Sequence, residues 1–119
     1  MIGQGNFAAY GFSKPKDYLK LIFYFGFCGT STTIVSGAVA ERMYSDTYLV
    51  YAVIMTGFIS PIAAGWAWGG GWLQVLGFQD FCGSGVVHQV GGIAALWGTF
   101  VCGPRIGKFG THGFGKGIP

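Results

Sequence analysis

The sequence predicts an all-α membrane protein with three transmembrane helices, and three observations indicate this fold class. Of its 119 residues, 51% are hydrophobic and only 9% are charged, against roughly 25% charged residues in an average soluble domain. The charged residues fall in short groups that leave the stretches 21–40, 47–79 and 81–104 without any charge. Each stretch is long enough for a helix that crosses the hydrocarbon core of a bilayer, which takes about 20 apolar residues.

The composition also argues against several functional classes. The chain has seven basic and four acidic side chains, and a soluble domain needs more charge than this to cover its surface. A soluble enzyme, a disordered tail and a free nucleic-acid-binding protein are therefore disfavoured. A transmembrane β-barrel is disfavoured as well, because the stretch 47–64 lacks the alternation of apolar and polar residues that barrel strands require.

The charge-free stretches give the order of the elements. We expect three helices at about 20–42, 47–68 and 82–103 and a tail at 104–119. The loop 69–81 carries no Lys or Arg, whereas the tail is basic. Because cytoplasmic segments are enriched in Lys and Arg, this asymmetry places the tail in the cytoplasm and the loop outside.

Two local features bear on how these helices pack. Pro61 lies inside the second helix and should kink it unless a neighbour satisfies the carbonyl group that proline leaves without a partner. The first and third helices also contain small residues at spacings that let helices approach closely in lipid; they are Gly29, Thr33 and Gly37 in the first and Gly91 and Gly92 in the third. These residues predict that the helices sit inside a larger helical bundle.

A polar stripe is predicted at the start of the third helix. Asp80, Ser84 and His88 are spaced at four residues, which would place them on one face of a helix. Eight residues of α-helix rise about 12 Å, so His88 would lie near the bilayer midplane if Asp80 marks the edge of the hydrocarbon core. An ionisable side chain at that depth indicates function, and the alternative is a packed histidine that is hydrogen-bonded internally.

Other candidate residues each have a functional and a structural interpretation. Asp80 could attract cations, or it could cap the start of the third helix, where the helix dipole favours a carboxylate. Trp68, before the glycines at 69–71, could bind a small cation on its ring face or simply lie at the membrane interface. Phe23 and Phe27, one helical turn apart, could form a hydrophobic constriction or only pack.

The sequence predicts no metal site, no cofactor and no enzymatic activity. Cys28, Cys82 and Cys102 are an odd number without a C-x-x-C spacing, and we interpret them as small buried hydrophobic residues. Ser84 and His88 would share a face, but nothing around them indicates an oxyanion hole. A membrane-embedded enzyme that uses Asp80 and His88 as acid and base is therefore the least favoured alternative.

Several strings of the sequence resemble the ammonium transporter family (Amt/Mep/Rh). They cover most of the chain, and the A-E-R ending of the first helix together with Trp68 resembles the Amt/Mep branch. The strings are T-I-V-S-G-A-V-A-E-R (33–42), W-A-W-G-G-G-W-L (66–73), G-F-Q-D-F-C-G-S-G-V-V-H (77–88), G-G-I-A-A-L-W-G (91–98) and G-P-R-I-G-K-F (103–109).

The resemblance implies a larger fold than this chain can form. The family fold is a bundle of about eleven transmembrane helices, built from two inverted five-helix repeats and assembled as a trimer. The chain resembles the third, fourth and fifth helices of that bundle, which fits a start outside and an end in the cytoplasm. A half-repeat cannot enclose a conduction path alone, so we expect the chain to be part of a longer one, with 1–119 a partial transporter domain.

The resemblance also assigns roles to individual residues. Trp68, Phe23 and Phe27 match the outer ammonium-recruitment site, and Phe27 also matches the outer phenylalanine gate. Asp80 matches the acidic residue near that site, and His88 matches the first of two pore histidines, a pore-lining and proton-relay position. One departure is visible: the family often has Gln after the residue matched by Phe23, and this chain has Tyr24.

We therefore expect the chain, as part of a longer protein, to transport ammonium or ammonia through a hydrophobic, histidine-lined pore. The alternative is a non-transporting membrane subunit or scaffold in which the helices only pack against partners. The expected partners are ammonium or ammonia as substrate, the lipid bilayer and two further copies of the full-length chain in a homotrimer, with no nucleic acid. The expected location is the plasma membrane.

Overall fold

The computed structural model describes residues 13–105 and Lys108, and within that part of the chain the only regular structure is helical. Most of the predicted tail at 104–119 lies outside the described residues. The α-helices are α1 (Pro15–Val39), α2 (Ser45–Ile54), α3 (Ser60–Ala67), α4 (Trp72–Val75) and α5 (Val90–Cys102), and two π-helical segments, Met55–Ile59 and Ser84–Gln89, continue into α3 and α5.

Three helical segments are long and apolar enough to cross a membrane. They are Pro15–Val39, Ser45–Val75, which includes the turn after α3, and Ser84–Cys102. Large apolar side chains remain exposed along them; Val101, for example, is 80% exposed. Such exposure suits lipid rather than water, so the predicted all-α membrane fold with three spans is confirmed and the chain is an integral membrane protein.

The ends of the first span differ from the predicted 20–42. α1 begins earlier because Pro15 occupies the first helical position, where its missing N–H costs nothing. Lys14 also donates its backbone N–H to the carboxylate of Asp17 at 3.2 Å. At the other end, the backbone N–H groups of Arg42 and Met43 both donate to the carbonyl of Val39, which closes a turn after the helix.

The second span, predicted at 47–68, is helical from 45 to 67 and continues through Pro61. The π-helical segment Met55–Ile59 lies directly before the proline, and the Ser60 N–H donates to the carbonyl of Met55, five residues back. Such a wide turn gives the chain the extra residue it needs to pass a proline, which cannot donate a hydrogen bond. The helix therefore continues past Pro61 through a π-helical segment, and the predicted kink stays a prediction.

The third span, predicted at 82–103, begins at Ser84, and Asp80 lies outside it. Gly83 has φ of 88°, a left-handed conformation that favours glycine and separates the incoming loop from the helix. The first turn is π-helical, with the N–H groups of Val87 and His88 both donating to the carbonyl of Gly83 at 2.9 Å. The prediction that Asp80, Ser84 and His88 form one stripe on a single helix is therefore wrong, and the depth of His88 in the bilayer stays a prediction.

The first and third spans pack closely at two glycines. A Cβ atom on Gly91 would lie 2.8 Å from the backbone carbonyl oxygen of Ser31, and one on Gly98 would lie 3.1 Å from Val39. Gly91 therefore lets the two helices approach closely, as the pattern of small residues predicted. A Cβ atom on Gly29, Gly37 or Gly92 would meet nothing within 4 Å, so these glycines lie outside the contact between the two spans.

Polar side chains join the first span to the second. The hydroxyl groups of Ser31 and Ser60 are hydrogen-bonded at 2.7 Å and both residues are buried. The Tyr48 hydroxyl donates to the carbonyl of Thr32 at 3.2 Å. Interhelical hydrogen bonds of this kind hold helices together in lipid, where the hydrophobic effect cannot.

Candidate functional site

Aromatic rings from two spans meet at one end of the molecule, which we call the aromatic end (Phe23, Tyr24, Phe27 and Trp68). The Phe23 and Phe27 rings stack edge to face with centroids 4.5 Å apart. Phe27 meets Trp68 at 5.5 Å and Tyr24 meets Trp68 at 6.2 Å. The three residues predicted for cation recruitment are thus brought together, although Trp68 follows Phe27 by more than forty residues.

The turn after α3 fixes the position of Trp68. The N–H groups of Trp68 and Gly69 both donate to the carbonyl of Ala64, and the Gly71 N–H donates to the carbonyl of Gly65 at 3.1 Å. A Cβ atom on Gly71 would lie 2.5 Å from that carbonyl oxygen, so only glycine fits this close turn. The run of glycines after Trp68 therefore shapes the site.

Asp80 ties Trp68 to the start of the third span. Its backbone carbonyl accepts the indole N–H of Trp68 at 2.8 Å. Its carboxylate accepts four backbone N–H groups at 2.7–2.9 Å; they belong to Gly83, Ser84, Gly85 and Val86. These are the N–H groups at the start of a helix that find no partner within it, so the carboxylate occupies the helix-capping position.

The same contacts set the charge state of Asp80. Burial disfavours the charged carboxylate, but the four backbone N–H groups more than compensate, so the pKa of Asp80 lies below its ordinary value. The carboxylate is therefore ionised at neutral pH. Because both of its oxygens already accept two hydrogen bonds each, its charge is directed at the helix start rather than at the open space beside Trp68.

His88 lies apart from the aromatic end. It belongs to the π-helical segment Ser84–Gln89, and its side chain is exposed. The preceding Val87 is only 2% exposed and belongs to the core cluster against which Phe27 and Trp68 pack. His88 therefore follows directly after the residue that anchors this segment, and its ring lies on the surface of the three-span unit.

A narrow cavity lies between the aromatic end and the buried serine pair. Phe27 and Trp68 line it together with the two residues of the serine pair, Ser31 and Ser60. The other walls are apolar, from Val86 and Val87 among others. The aromatic rings thus cover a small space that contains hydroxyl groups able to donate and accept hydrogen bonds.

Sequence reasoning missed three contributors to this region. Tyr24 joins the aromatic end, and its spacing of three residues from Phe27 on a helix could have indicated this. The Gln74 side chain accepts the N–H of Gly70 at 2.8 Å and so holds the turn after Trp68. The Ser31–Ser60 pair joins residues 29 positions apart, and no local pattern in the sequence signals that contact.

Metal binding finds no support in the described part of the chain. Within 13–105 and at Lys108, no three His, Cys, Asp or Glu side chains come together in a way that could hold a metal ion. Cys28, Cys82 and Cys102 each carry a free thiol. Within the described residues, the region offers aromatic faces, hydroxyl groups and the exposed imidazole of His88.

Comparison with known proteins identifies the family. The sequence model of the Ammonium Transporter Family matches residues 1–117. A Synechocystis sp. protein named as a candidate ammonium transporter is 54% identical over 99 residues, which cover 83% of this chain and 22% of that protein. Ammonium transporter 1 member 4 of Arabidopsis thaliana is 42% identical over 123 residues, which cover 94% of this chain and 24% of that protein.

An archaeal relative extends the comparison. Ammonium transporter Amt2 of Archaeoglobus fulgidus is 44% identical over 103 residues, covering 78% of this chain and 22% of that protein. The chain thus spans less than a quarter of the length of these relatives. No solved structure matches it. Because the family match covers nearly every residue and the relatives are Amt proteins, the chain belongs to the Ammonium Transporter Family, on its Amt/Mep branch.

Proposed function

We propose that this chain supplies three adjacent helices of an ammonium transporter, and that the aromatic end recruits ammonium. The observation that carries the proposal is the meeting of Phe23, Phe27 and Trp68 in a chain of this family. An ammonium ion is attracted to the negative face of an aromatic ring, most strongly to tryptophan. Several rings around one opening attract it more strongly than one ring does.

Asp80 acts in this proposal as a positioning residue. Its carboxylate fixes the start of the third span and its carbonyl fixes the indole N–H of Trp68. The Trp68 indole is thereby held against Phe27 while its N–H group has a hydrogen-bond partner. Ammonium is attracted by the ring faces, while the charge of the carboxylate is directed at the start of the third span.

Passage beyond the aromatic end requires loss of charge. A bare ammonium ion in an apolar pore is costly, so we infer that the ion releases its proton and that ammonia passes Phe27, which gates the path. His88 then lines the path, where its imidazole can accept and donate hydrogen bonds and relay the proton. The exposure of His88 on the three-span unit supports a role towards helices that the rest of a longer chain would supply.

The proposed assembly rests on the resemblance to the ammonium transporter family. We propose that the chain is a partial transporter domain within an eleven-helix bundle, with the loop 69–81 outside and the end of α5 in the cytoplasm. The full-length protein would form a homotrimer in the plasma membrane. The exposed apolar surface of all three spans supports burial against lipid and further helices. The relatives are named transporters, so we propose neither an enzymatic activity nor a purely structural scaffold.

A chimera tests this function directly. The chain replaces the matching segment of the Arabidopsis relative, and uptake of ¹⁵N-ammonium is measured in cells that lack their own ammonium transporters. We expect the chimera to support uptake and Trp68→Ala to reduce it severalfold, because cation–π attraction to a tryptophan contributes about 0.5–2 kcal/mol.

A tryptophan elsewhere provides the control for this experiment. Trp97 is 61% exposed on α5 and contacts Phe100 rather than the aromatic end. Trp97→Ala is therefore expected to leave uptake unchanged. A chimera that reaches the membrane at the level of the parent but takes up no more ammonium than cells without it would contradict the proposed function.

A further inference from the structure

One face of α1 carries two lysines shortly before the aromatic end, which we call the lysine pair (Lys16 and Lys20). Steps of three or four residues place the pair and two rings of the aromatic end on that one face; in chain order they are Lys16, Lys20, Tyr24 and Phe27. Contacts confirm which way the face is turned, because Tyr24 and Phe27 both meet the ring of Trp68. The lysine pair therefore lies one to two turns from the rings.

The lysine pair is not neutralised by the described residues around it. Both side chains are exposed, and neither forms an ion pair with any residue of 13–105. Asp17 is the one acidic residue between positions 13 and 40, and its carboxylate accepts the backbone N–H of Lys14 at 3.2 Å. The start of α1 thus carries three lysines and one aspartate, which leaves it with a net positive charge.

Asp80 does not offset this charge at the rings. Its carboxylate accepts four backbone N–H groups at the start of the third span, which direct its charge away from the aromatic end. The two other acidic residues of the chain, Glu41 and Asp46, follow the far end of α1. The surroundings of the rings are therefore positive, although the ring faces attract cations.

The lysine pair is close enough to act on an ion at the rings. One or two helical turns separate charges by on the order of 10 Å, which is about one Debye length at physiological ionic strength. Beside a protein surface, two unit charges at that separation repel each other enough to lower ion occupancy roughly twofold. The repulsion energy doubles for a divalent cation, so Ca²⁺ and Mg²⁺ are hindered more than ammonium.

From these observations we propose that Lys16 and Lys20 are specificity-determining residues of the aromatic end. Their charge raises the KM for ammonium and keeps divalent cations away from the rings, so that recruitment depends on cation–π attraction rather than on a negative vestibule. This inference rests on the proposed recruitment of ammonium at the aromatic end. The positive potential itself is a property of the folded chain and can be measured without transport.

The effect on recruitment is measured by ¹⁵N-ammonium uptake of the chimera in buffer of low ionic strength. Lys16→Gln/Lys20→Gln should lower KM roughly fourfold, at about twofold for each charge, and leave the maximal rate unchanged. At about 1 M salt, where the Debye length is about 3 Å, the variant and the parent should have the same KM. Lys16→Arg/Lys20→Arg keeps both charges and should keep the KM of the parent.

A lysine at the other end of the spans provides the control. Lys108 is exposed and follows the end of α5, so Lys108→Gln removes a charge far from the rings and should leave KM unchanged. An equal fall of KM in Lys108→Gln would overturn the role of the lysine pair, because the effect would then follow the net charge of the protein rather than its position.

Cys82 reports the potential independently of transport. Its thiol is free and exposed, and it precedes Gly83, where a Cβ atom would lie 3.5 Å from the Phe27 ring. The chimera is treated with an anionic or a cationic methanethiosulfonate, and mass spectrometry of the Cys82 peptide gives both modification rates. The ratio of the anionic to the cationic rate should fall at least about fourfold in Lys16→Gln/Lys20→Gln, because the two reagents respond in opposite directions.

The two measurements separate the inference from the proposed function. An unchanged rate ratio at Cys82 would overturn the inference, and so would an unchanged KM in a chimera that transports ammonium. If the ratio falls as expected while the parent chimera takes up no ammonium, the positive potential is supported and the proposed function fails.

Discussion

The aromatic end, which Asp80 holds in place, and the π-helical segment Ser84–Gln89, which carries His88, are built in opposite ways. Trp68 contacts both Phe27 and Asp80, and the carboxylate and backbone carbonyl of Asp80 each accept hydrogen bonds from the described residues. His88, only eight positions after Asp80, carries an exposed ring. The difference indicates that this chain alone positions the residues proposed for recruitment, whereas the proposed pore role of His88 would need other helices.

The substitution with the largest expected effect on the aromatic end is Asp80→Asn. An amide offers one acceptor oxygen in place of two and carries no charge, so two of the four backbone N–H groups lose their partner. Hydrogen bonds to charged groups contribute about 1.5–3 kcal/mol each, and we expect a loss of about 3 kcal/mol in the free energy of unfolding. Thermal unfolding of the chimera in detergent measures this loss.

The matched control for that variant is Asp46→Asn. Asp46 is exposed in the first turn of α2 and interacts chiefly with the helix dipole, which is worth about 0.3–1 kcal/mol. Equal changes in melting temperature for the two variants would show that the carboxylate of Asp80 does not organise the aromatic end.

Protonation of the Asp80 carboxylate at low pH should remove the stabilisation that its hydrogen bonds provide. The pKa of Asp80 is lower in the folded chain than the ordinary value of about 3.9, so its contribution to stability is present above that ordinary value. The contribution is lost as the pH falls through the lower, folded-state pKa. We expect the melting temperature to fall below about pH 4 in the parent and to fall less in Asp80→Asn. Parallel pH profiles would refute this linkage.

A pair of adjacent glycines tests the packing that supports both regions. Gly91→Ala places a methyl group 2.8 Å from the Ser31 carbonyl oxygen, and we expect a loss of about 1–3 kcal/mol from forced separation of α1 and α5. Gly92→Ala meets open space and should be neutral or stabilising by up to about 1 kcal/mol, since alanine favours helix. Chemical or thermal unfolding of both variants measures the difference, and similar values would contradict the close contact.

The smallest expected effect on stability is that of His88→Ala. Because removal of the His88 ring breaks no hydrogen bond within the described helices, we expect it to change the free energy of unfolding by about 1 kcal/mol or less. Ammonium uptake, in contrast, should fall at least about tenfold if the imidazole lines the path. Melting temperature and uptake are measured on the same preparation. A large loss of stability with normal uptake would contradict the comparison, because His88 would then have a structural role and no role in transport.

The membrane spans could be predicted from the sequence because the bilayer excludes charge, so the charge-free stretches mark the hydrocarbon core directly. Their ends could not, because local bonds such as that from Lys14 to Asp17 extend a helix beyond its apolar part. The turn at Gly83 and the π-helical segment after it displaced Asp80 from the predicted stripe. Spacing alone reports neither this turn nor the packing of Val86 and Val87 in the core cluster that follows it.

The sequence predicted which residues form the candidate site, but it did not predict how they contact one another. Aromatic residues and an acidic residue near the predicted interface were visible, and the family resemblance gave them roles. That Trp68 donates to the carbonyl of Asp80, or that Ser31 bonds Ser60, depends on how separate spans approach one another. Such long-range contacts leave no periodic signal in a single sequence.

The most direct test of the account is the concentration dependence of ¹⁵N-ammonium uptake by Trp68→Leu and His88→Ala in the chimera. If the aromatic end recruits the ion, Trp68→Leu should raise KM roughly two- to thirtyfold and change the maximal rate little, since it removes cation–π attraction. His88→Ala should lower the maximal rate with a smaller change in KM. If Trp68→Leu leaves KM unchanged while both variants reach the membrane normally, the aromatic end does not recruit ammonium.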